Sequence, residues 1–225
     1  MCGRFSLVKP KIIKAKDLKV KQSEADSLKP RYNIAPSQPV AAILNEAERH
    51  IQPLKWGLIP SWSKDEAIGQ RMINARAETL AEKPSFKGLL NKHRCVILAD
   101  GFYEWAEGPQ GKQPYFIHLK AGESFTFAGL WSHWQNPKGQ EVRTCTIITC
   151  APNKLMEPIH NRMPVILTDK AQQAWLDPAN TDGLALSGLL ISYPDTVMEA
   201  YPVSKFVNSP ANDTEGCSVG VGVAR

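Results

Sequence analysis

The sequence predicts an α+β fold, a single domain built on a curled, barrel-like, mostly antiparallel sheet with flanking helices. Three observations lead there. Short runs rich in Val, Ile, Phe, Tyr and Trp succeed one another without regular intervening helices, which argues against a doubly wound parallel sheet. Seventeen prolines in 225 residues exceed the usual ~5% share and favour ordered loops over long helices. Apolar residues make up 43% of the chain, enough for a sizeable core without disulfides or metal.

Taken in order, the β-rich runs place strands at Val40 to Leu44, Ile51 to Gly57, Arg94 to Ala99, Phe102 to Ala106, Tyr115 to Leu119, Phe125 to Trp131, Arg143 to Thr149 and Pro164 to Leu167. Asp100-Gly101 lies between two of these runs and reads as a hairpin turn. Helices are expected at Ser85 to Asn91 and Asn153 to Glu157. A third is expected after Thr168-Asp169, a cap residue followed by an acidic first turn. Residues 215–225 are small and Gly-rich and read as a loosely held tail to a single domain spanning 1–225.

Charge and cysteine usage narrow the setting. The net charge of +5 excludes an acidic disordered tail protein and mildly favours an anionic partner. That excess resides in Lys9, Lys11, Lys14, Lys16, Lys19 and Lys21, offset by Asp17, while the rest of the chain balances. The simplest reading of such a run is a solvated face. Five cysteines form no CxxC pair, so a reduced cytoplasmic setting fits, nucleoid-associated if the source is bacterial. Cys145 and Cys150 are five apart on an expected strand and would face opposite ways, so no zinc site and no cofactor is expected. No stretch approaches the ~20 apolar residues that span a bilayer, and the first residues lack the order of a secretory signal. A monomer without membrane contact is the expectation.

Cys2 is the most informative single residue. Aminopeptidases remove Met1 when a small residue follows, and the product would carry an α-amine and a thiol on adjacent carbons. With reference pKa values of about 7.7–8.0 and about 8.5, both groups have reactive forms near neutral pH. The thiol can attack an acyl carbon with the amine as base. Alternatively, the amine can form an imine with an aldehyde and the thiol can close a five-membered ring on it. The plainer alternative is an inert cysteine that follows the start codon.

Other polar residues stand in unusual company. Glu104 shares a strand face with Phe102 and Ala106, so burial would raise its pKa and suit it to proton transfer, unless it lies on an exposed edge. His160, in His160-Asn161-Arg162-Met163-Pro164, could act as an imidazolium donor or be a packed histidine. His50, His93, His118 and His133 read as structural. Asn74 could orient an amine without titrating, or cap a strand end. Arg4, Arg76 and Arg162 each stand two residues from Cys2, Asn74 and His160, as a phosphate-flanked centre would require. Trp62 follows Pro60-Ser61 and could be exposed for base stacking, whereas Trp56, Trp131 and Trp175 read as core.

Six segments appear in one order: Met1-Cys2-Gly3-Arg4-Phe5, Arg31 to Pro36, Trp56 to Trp62, Ile73 to Thr79, Asp100 to Trp105, and His160 to Pro164. Together they resemble the SOS-response-associated peptidase family, over nearly the whole chain. The resemblance implies single-stranded DNA binding and a covalent thiazolidine link between the N-terminal cysteine and the aldehyde of an abasic site. It also implies associated lyase and peptidase activity, the latter releasing the residue ahead of the cysteine. By the same resemblance Cys2, Asn74, Glu104 and His160 are catalytic, and Pro36, Thr79 and Thr149 join Arg4, Trp62, Arg76 and Arg162 along the DNA. Ser63 stands where some relatives carry a second aromatic, so a stacking pair at 62 and 63 is not available here. Two other readings remain, an N-terminal-cysteine amidohydrolase and a non-catalytic single-strand binding module.

Overall fold

A computed structural model of the chain describes residues 2–10, 13–108 and 111–222. The strands are β1 (Phe5–Leu7), β2 (Arg31–Ile34), β3 (Pro39–Leu44), β4 (Gln52–Trp56), β5 (Asn74–Arg76), β6 (Arg94–Ala99), β7 (Gly101–Ala106), β8 (Gln113–Leu119), β9 (Phe125–Gln135), β10 (Glu141–Cys150), β11 (Met163–Pro164) and β12 (Met198–Pro202). The helices are α1 (Ala15–Leu18), α2 (Gln22–Asp26), α3 (Pro84–Lys87), α4 (Asp169–Leu176) and α5 (Gly183–Ser187). The α+β prediction holds, and the curled sheet is a closed barrel.

Closure follows from two long strands. With 11 residues in β9 and 10 in β10, β9 pairs with β6 and β10, and β10 pairs with β4, β5, β9 and β11, so the order β10-β4-β3-β6-β9 returns to β10. Pairing is antiparallel except where β4 and β5 run parallel to β10. A second, open antiparallel sheet has the order β12-β8-β7-β1-β2. It packs on the barrel through rings: Phe5 meets Trp56 at 5.2 Å and Phe127 at 5.6 Å, and Phe102 meets Phe127 at 6.2 Å. Such edge-to-face contacts join β1 and β7 to β4 and β9 and exclude water between the layers. Trp56 and Trp175 are fully buried and Trp131 nearly so, as the core reading expected.

Several local expectations are corrected. Asp100-Gly101 is not a hairpin, because β6 pairs with β3 and β9 while β7 pairs with β1 and β8. The chain crosses there from barrel to open sheet. The Asp100 carboxylate secures the crossing, accepting from Ser6 Oγ at 2.6 Å and from the Val8 and Lys9 amides. Asn153 to Glu157 forms turns rather than a helix, with Asn153 Oδ1 accepting from the Met156 amide. The tail from 215 to 222 is not loose. Glu215–Cys217 forms a 3-10 turn, Cys217 is buried, and Gly220 bridges to Val203. Residues 223–225 lie outside the described part. The α4 start is as expected, with Thr168 accepting from the Ala171 amide.

Candidate active site

The N-terminal residues reach the site by strand pairing. Phe5 pairs with Phe102 and Ser6 with Gly101, and the Tyr103 amide donates to Arg4 O at 2.9 Å. Continuing that antiparallel register brings the backbone of Cys2 and Gly3 alongside Glu104 and Trp105. Cys2 is fully buried. Burial pushes its thiol well above the usual range, and negative charge on Glu104 pushes it the same way. The thiol therefore needs a base at the moment it reacts. Met1, whose removal the sequence suggests, lies outside the described residues.

Glu104 is only 2% exposed, because β7 runs between β8 and β1 rather than at an edge. Desolvation lifts its carboxyl to about 7; of the two alternatives open from the sequence, burial is the one found. At neutral pH it populates both protonation states, which is what a proton donor and acceptor requires. His160 follows the turns after β10 and is half-buried. The Arg162 amide donates to its Nδ1 at 3.0 Å, so the neutral ring carries its proton on Nε2. Burial lowers its pKa. That lowering favours the neutral imidazole in the folded chain.

Glu104 and His160 line one cavity of about 490 Å³ together with Trp105, Lys112 and Asn208. Trp105 Nε1 donates to Asn208 Oδ1 at 2.8 Å, closing one wall. Sequence reasoning missed these last three residues. Trp105 was signalled by its place beside Glu104. Lys112 and Asn208 arrive from a loop and from the 3-10 turn Lys205–Asn208, and nothing in their local sequence announces the meeting.

Asn74 and Thr149, two further expected site residues on strands, belong to the barrel side and do not line this cavity. Asn74 on β5 pairs with Ile147 of β10, and its Nδ2 donates to Ile73 O at 3.1 Å. Its buried Oδ1 has no hydrogen-bond partner among the described residues, an acceptor left open at a cost unless something fills it. Thr149 is fully buried, with Oγ1 directed to Ala75 O at 3.4 Å. It is a framework residue rather than an exposed lining.

The three arginines separate. Arg4 donates to Asn33 Oδ1 at 2.9 Å and Val207 O at 2.8 Å, with its guanidinium over the Trp105 ring. Arg162 grips Glu78 through two bonds of 2.7 and 2.8 Å and donates to Thr149 O at 2.7 Å. Both guanidinium groups are engaged by protein in this structure. Arg76 is exposed. Trp62 is 62% exposed, as expected, while Pro36 and Thr79 are half-buried; none of the three lines the cavity. The Ser63 carbonyl accepts from Trp134 Nε1 at 2.7 Å, which pins the turn that presents Trp62. His50 and His118 are held by Glu24 and Glu199, and His93 and His133 contact each other and Trp131.

An open antiparallel sheet laid on a closed barrel, with Cys2, a near-neutral carboxyl and a histidine supplied by separate segments, defines the class of α+β protein to which the chain belongs. The chain belongs to the SOS response associated peptidase (SRAP) family, whose model matches residues 1–210. It is 50% identical over 218 residues to the abasic site processing protein YoqW of Bacillus subtilis, covering 95% of this chain and 97% of that one. It is 36% identical over 224 residues to the abasic site processing protein HMCES of Gallus gallus, covering 85% and 66%. A solved structure of a protein from Bacteroides thetaiotaomicron superposes with a TM-score of 0.86 at 29% identity, over 98% of this chain and all of that one. Among the described residues no helix is long and apolar enough to cross a membrane.

Proposed function

We propose that this chain processes abasic sites in single-stranded DNA, capturing them as a thiazolidine crosslink through Cys2 once Met1 is removed. One observation carries the reading: Glu104, with a pKa of about 7, shares a cavity with His160 and is coupled in charge to the Cys2 thiol. The names of the relatives YoqW and HMCES support the same substrate.

Hydrolysis of the Met1–Cys2 peptide bond frees an α-amine beside the thiol-bearing carbon. The amine adds to the aldehyde carbon of the ring-opened sugar and forms a carbinolamine. Protonated Glu104 gives its proton to the carbinolamine hydroxyl, which leaves as water, and a protonated imine remains. Glu104, now a carboxylate, takes the thiol proton as sulfur adds to the protonated imine carbon. The nitrogen keeps its proton and becomes the neutral ring amine, and Glu104 ends protonated as it began. Overall one water is lost and nothing is oxidised or reduced. His160 Nε2–H donates to the sugar oxygen during ring opening, and Asn74 Oδ1 accepts from the α-amine. Before the ring closes, the imine can instead expel the 3′ phosphate by β-elimination. Thiazolidine formation competes with that lyase step, and hydrolysis ahead of Cys2 accounts for a self-processing peptidase activity.

The test is incubation with single-stranded DNA bearing one abasic site, followed by denaturing electrophoresis. Wild type should give a denaturant-stable adduct whose mass matches the chain from Cys2 plus DNA less one water, and Cys2→Ala should give none. An adduct of equal yield from Cys2→Ala would sink the proposal.

A further inference from the structure

We propose that Lys112 is the cation that holds a phosphate of the bound strand at the cavity, and that Glu107 occupies this ammonium while DNA is absent. The inference rests on the reading that the cavity takes an abasic strand. A polyanion whose reacting sugar enters a cavity brings its flanking phosphates to the rim, where a cation not already committed inside the protein is needed. Arg76 is exposed but lies outside the cavity lining, and Arg4 and Arg162 are already bonded to protein. Arg4 is spent on Asn33 and Val207, Arg162 on Glu78 and Thr149. Breaking either set would uncover buried acceptors, such as Asn33 Oδ1 and the Thr149 carbonyl.

Lys112 is placed differently. It lines the cavity beside Glu104 and His160, one residue before β8 in the loop that follows β7. Its ammonium lies 3.4 Å from Glu107 Oε1, and both side chains are largely exposed, at 65% and 80%. An ion pair so hydrated holds weakly, so a phosphate can displace the carboxylate at little cost. The ammonium also acts on the reacting groups, since its charge lowers the pKa of both Glu104 and His160. A lysine suits the task because a compact charge on a flexible stem follows a backbone whose exact path varies.

Binding of intact single-stranded DNA, measured by fluorescence anisotropy across a salt series, tests the contact apart from the chemistry. Lys112→Gln should weaken binding by roughly 3- to 10-fold at low salt and flatten the slope of log affinity against log salt by about 0.7. Lys112→Arg should restore most of both. Glu107→Gln should tighten binding about 2-fold, and should do nothing when Lys112 is already Gln. A wild-type slope in Lys112→Gln, or an unchanged affinity in Glu107→Gln, overturns the proposal. A parallel adduct assay on abasic DNA separates the two readings. If wild type forms no adduct while the binding shifts appear, the capture chemistry fails and the phosphate contact stands. In that assay Lys112→Gln should also shift the pH profile upward, an effect that a merely structural lysine would not produce.

Discussion

A carboxyl that titrates near 7 in the folded chain costs stability whenever it is ionised. The folded pKa of Glu104 is raised from an ordinary 4.5 to about 7 by burial. Its contribution is therefore fully present below about pH 4.5 and is lost as pH rises through 7. The shift corresponds to about 3 kcal/mol. Glu104→Gln removes the ionisable group, so its melting temperature should exceed that of wild type at pH 8–9 and the gain should vanish near pH 4. Equal differences at both pH values would show that the carboxyl is not desolvated. The same titration should slow adduct formation above pH 7 in wild type and leave a slow, flat profile in Glu104→Gln. Glu104 was legible in part: alternation beside Phe102 left burial and an exposed edge open, and β7 is buried continuously from Gly101 to Glu104 because both of its neighbours cover it. The partners of Arg4 and Arg162 were not legible. Spacing places a guanidinium near a reactive residue in sequence, but Asn33 and Glu78 reach it from 29 and 84 positions away.

The segment from Lys205 to Asp213, which brings Asn208 to the cavity, is held from outside itself. Asn33 on β2 is fully buried, and its Nδ2 donates to the carbonyls of Val207, Ser209 and Asn212 at 3.1, 3.0 and 2.6 Å. Asp213 closes the arrangement by accepting from the Tyr32 and Asn33 amides at 2.6 and 2.9 Å. One amide side chain thus fixes the segment that presents Asn208 to Trp105. Asn33→Ala should destabilise the protein by about 2–4 kcal/mol, because several buried acceptors lose their donor at once. Hydrogen exchange should quicken at the Val207 and Asn212 amides well before it does in β9. Uniform quickening across the chain would mean that Asn33 serves global stability rather than this segment. The strands that place the site were the hardest to read. β1, β2 and β5 have only three or four residues each, too few for a period to register, and Asn33 and Asn74 interrupt their apolar pattern. The longer strands were legible within a few residues of their ends. The turn chemistry of Asp100-Gly101 misled, because the residues that form a tight hairpin also suit a crossing between sheets.

The proposed site draws its residues from both sheets. Cys2 and Glu104 come with the open sheet, while Asn74 comes with the strand that flanks the barrel and His160 with the loop that leaves β10. Two glycines test this division, since neither tolerates a side chain and they sit in different sheets. A Cβ at Gly129 in β9 would lie 2.6 Å from Ile97 Cδ1 and 2.9 Å from both Cys95 Sγ and Thr146 O. A Cβ at Gly101, where the chain enters β7, would lie 2.2 and 2.4 Å from ring carbons of Phe116. That ring is hemmed in by Tyr103 at 5.0 Å, His118 at 5.4 Å and Tyr201 at 5.8 Å, so it cannot swing clear cheaply. Overpacking of this kind costs about 1–3 kcal/mol, and both Gly129→Ala and Gly101→Ala should lower the melting temperature by similar amounts. Their chemistry should differ. Gly101 is in register with Ser6 of β1 and His118 of β8 and stands three residues before Glu104. A backbone shift there displaces the carboxyl relative to His160, and a misplacement of about 1 Å is worth up to about 100-fold in rate. Assayed well below both melting transitions, Gly101→Ala should form the abasic adduct at least 10-fold more slowly than wild type, while Gly129→Ala stays within about 2-fold. Equal losses in the two variants would mean that the barrel and the open sheet move as one body, and that the site does not depend on how the second is laid upon the first.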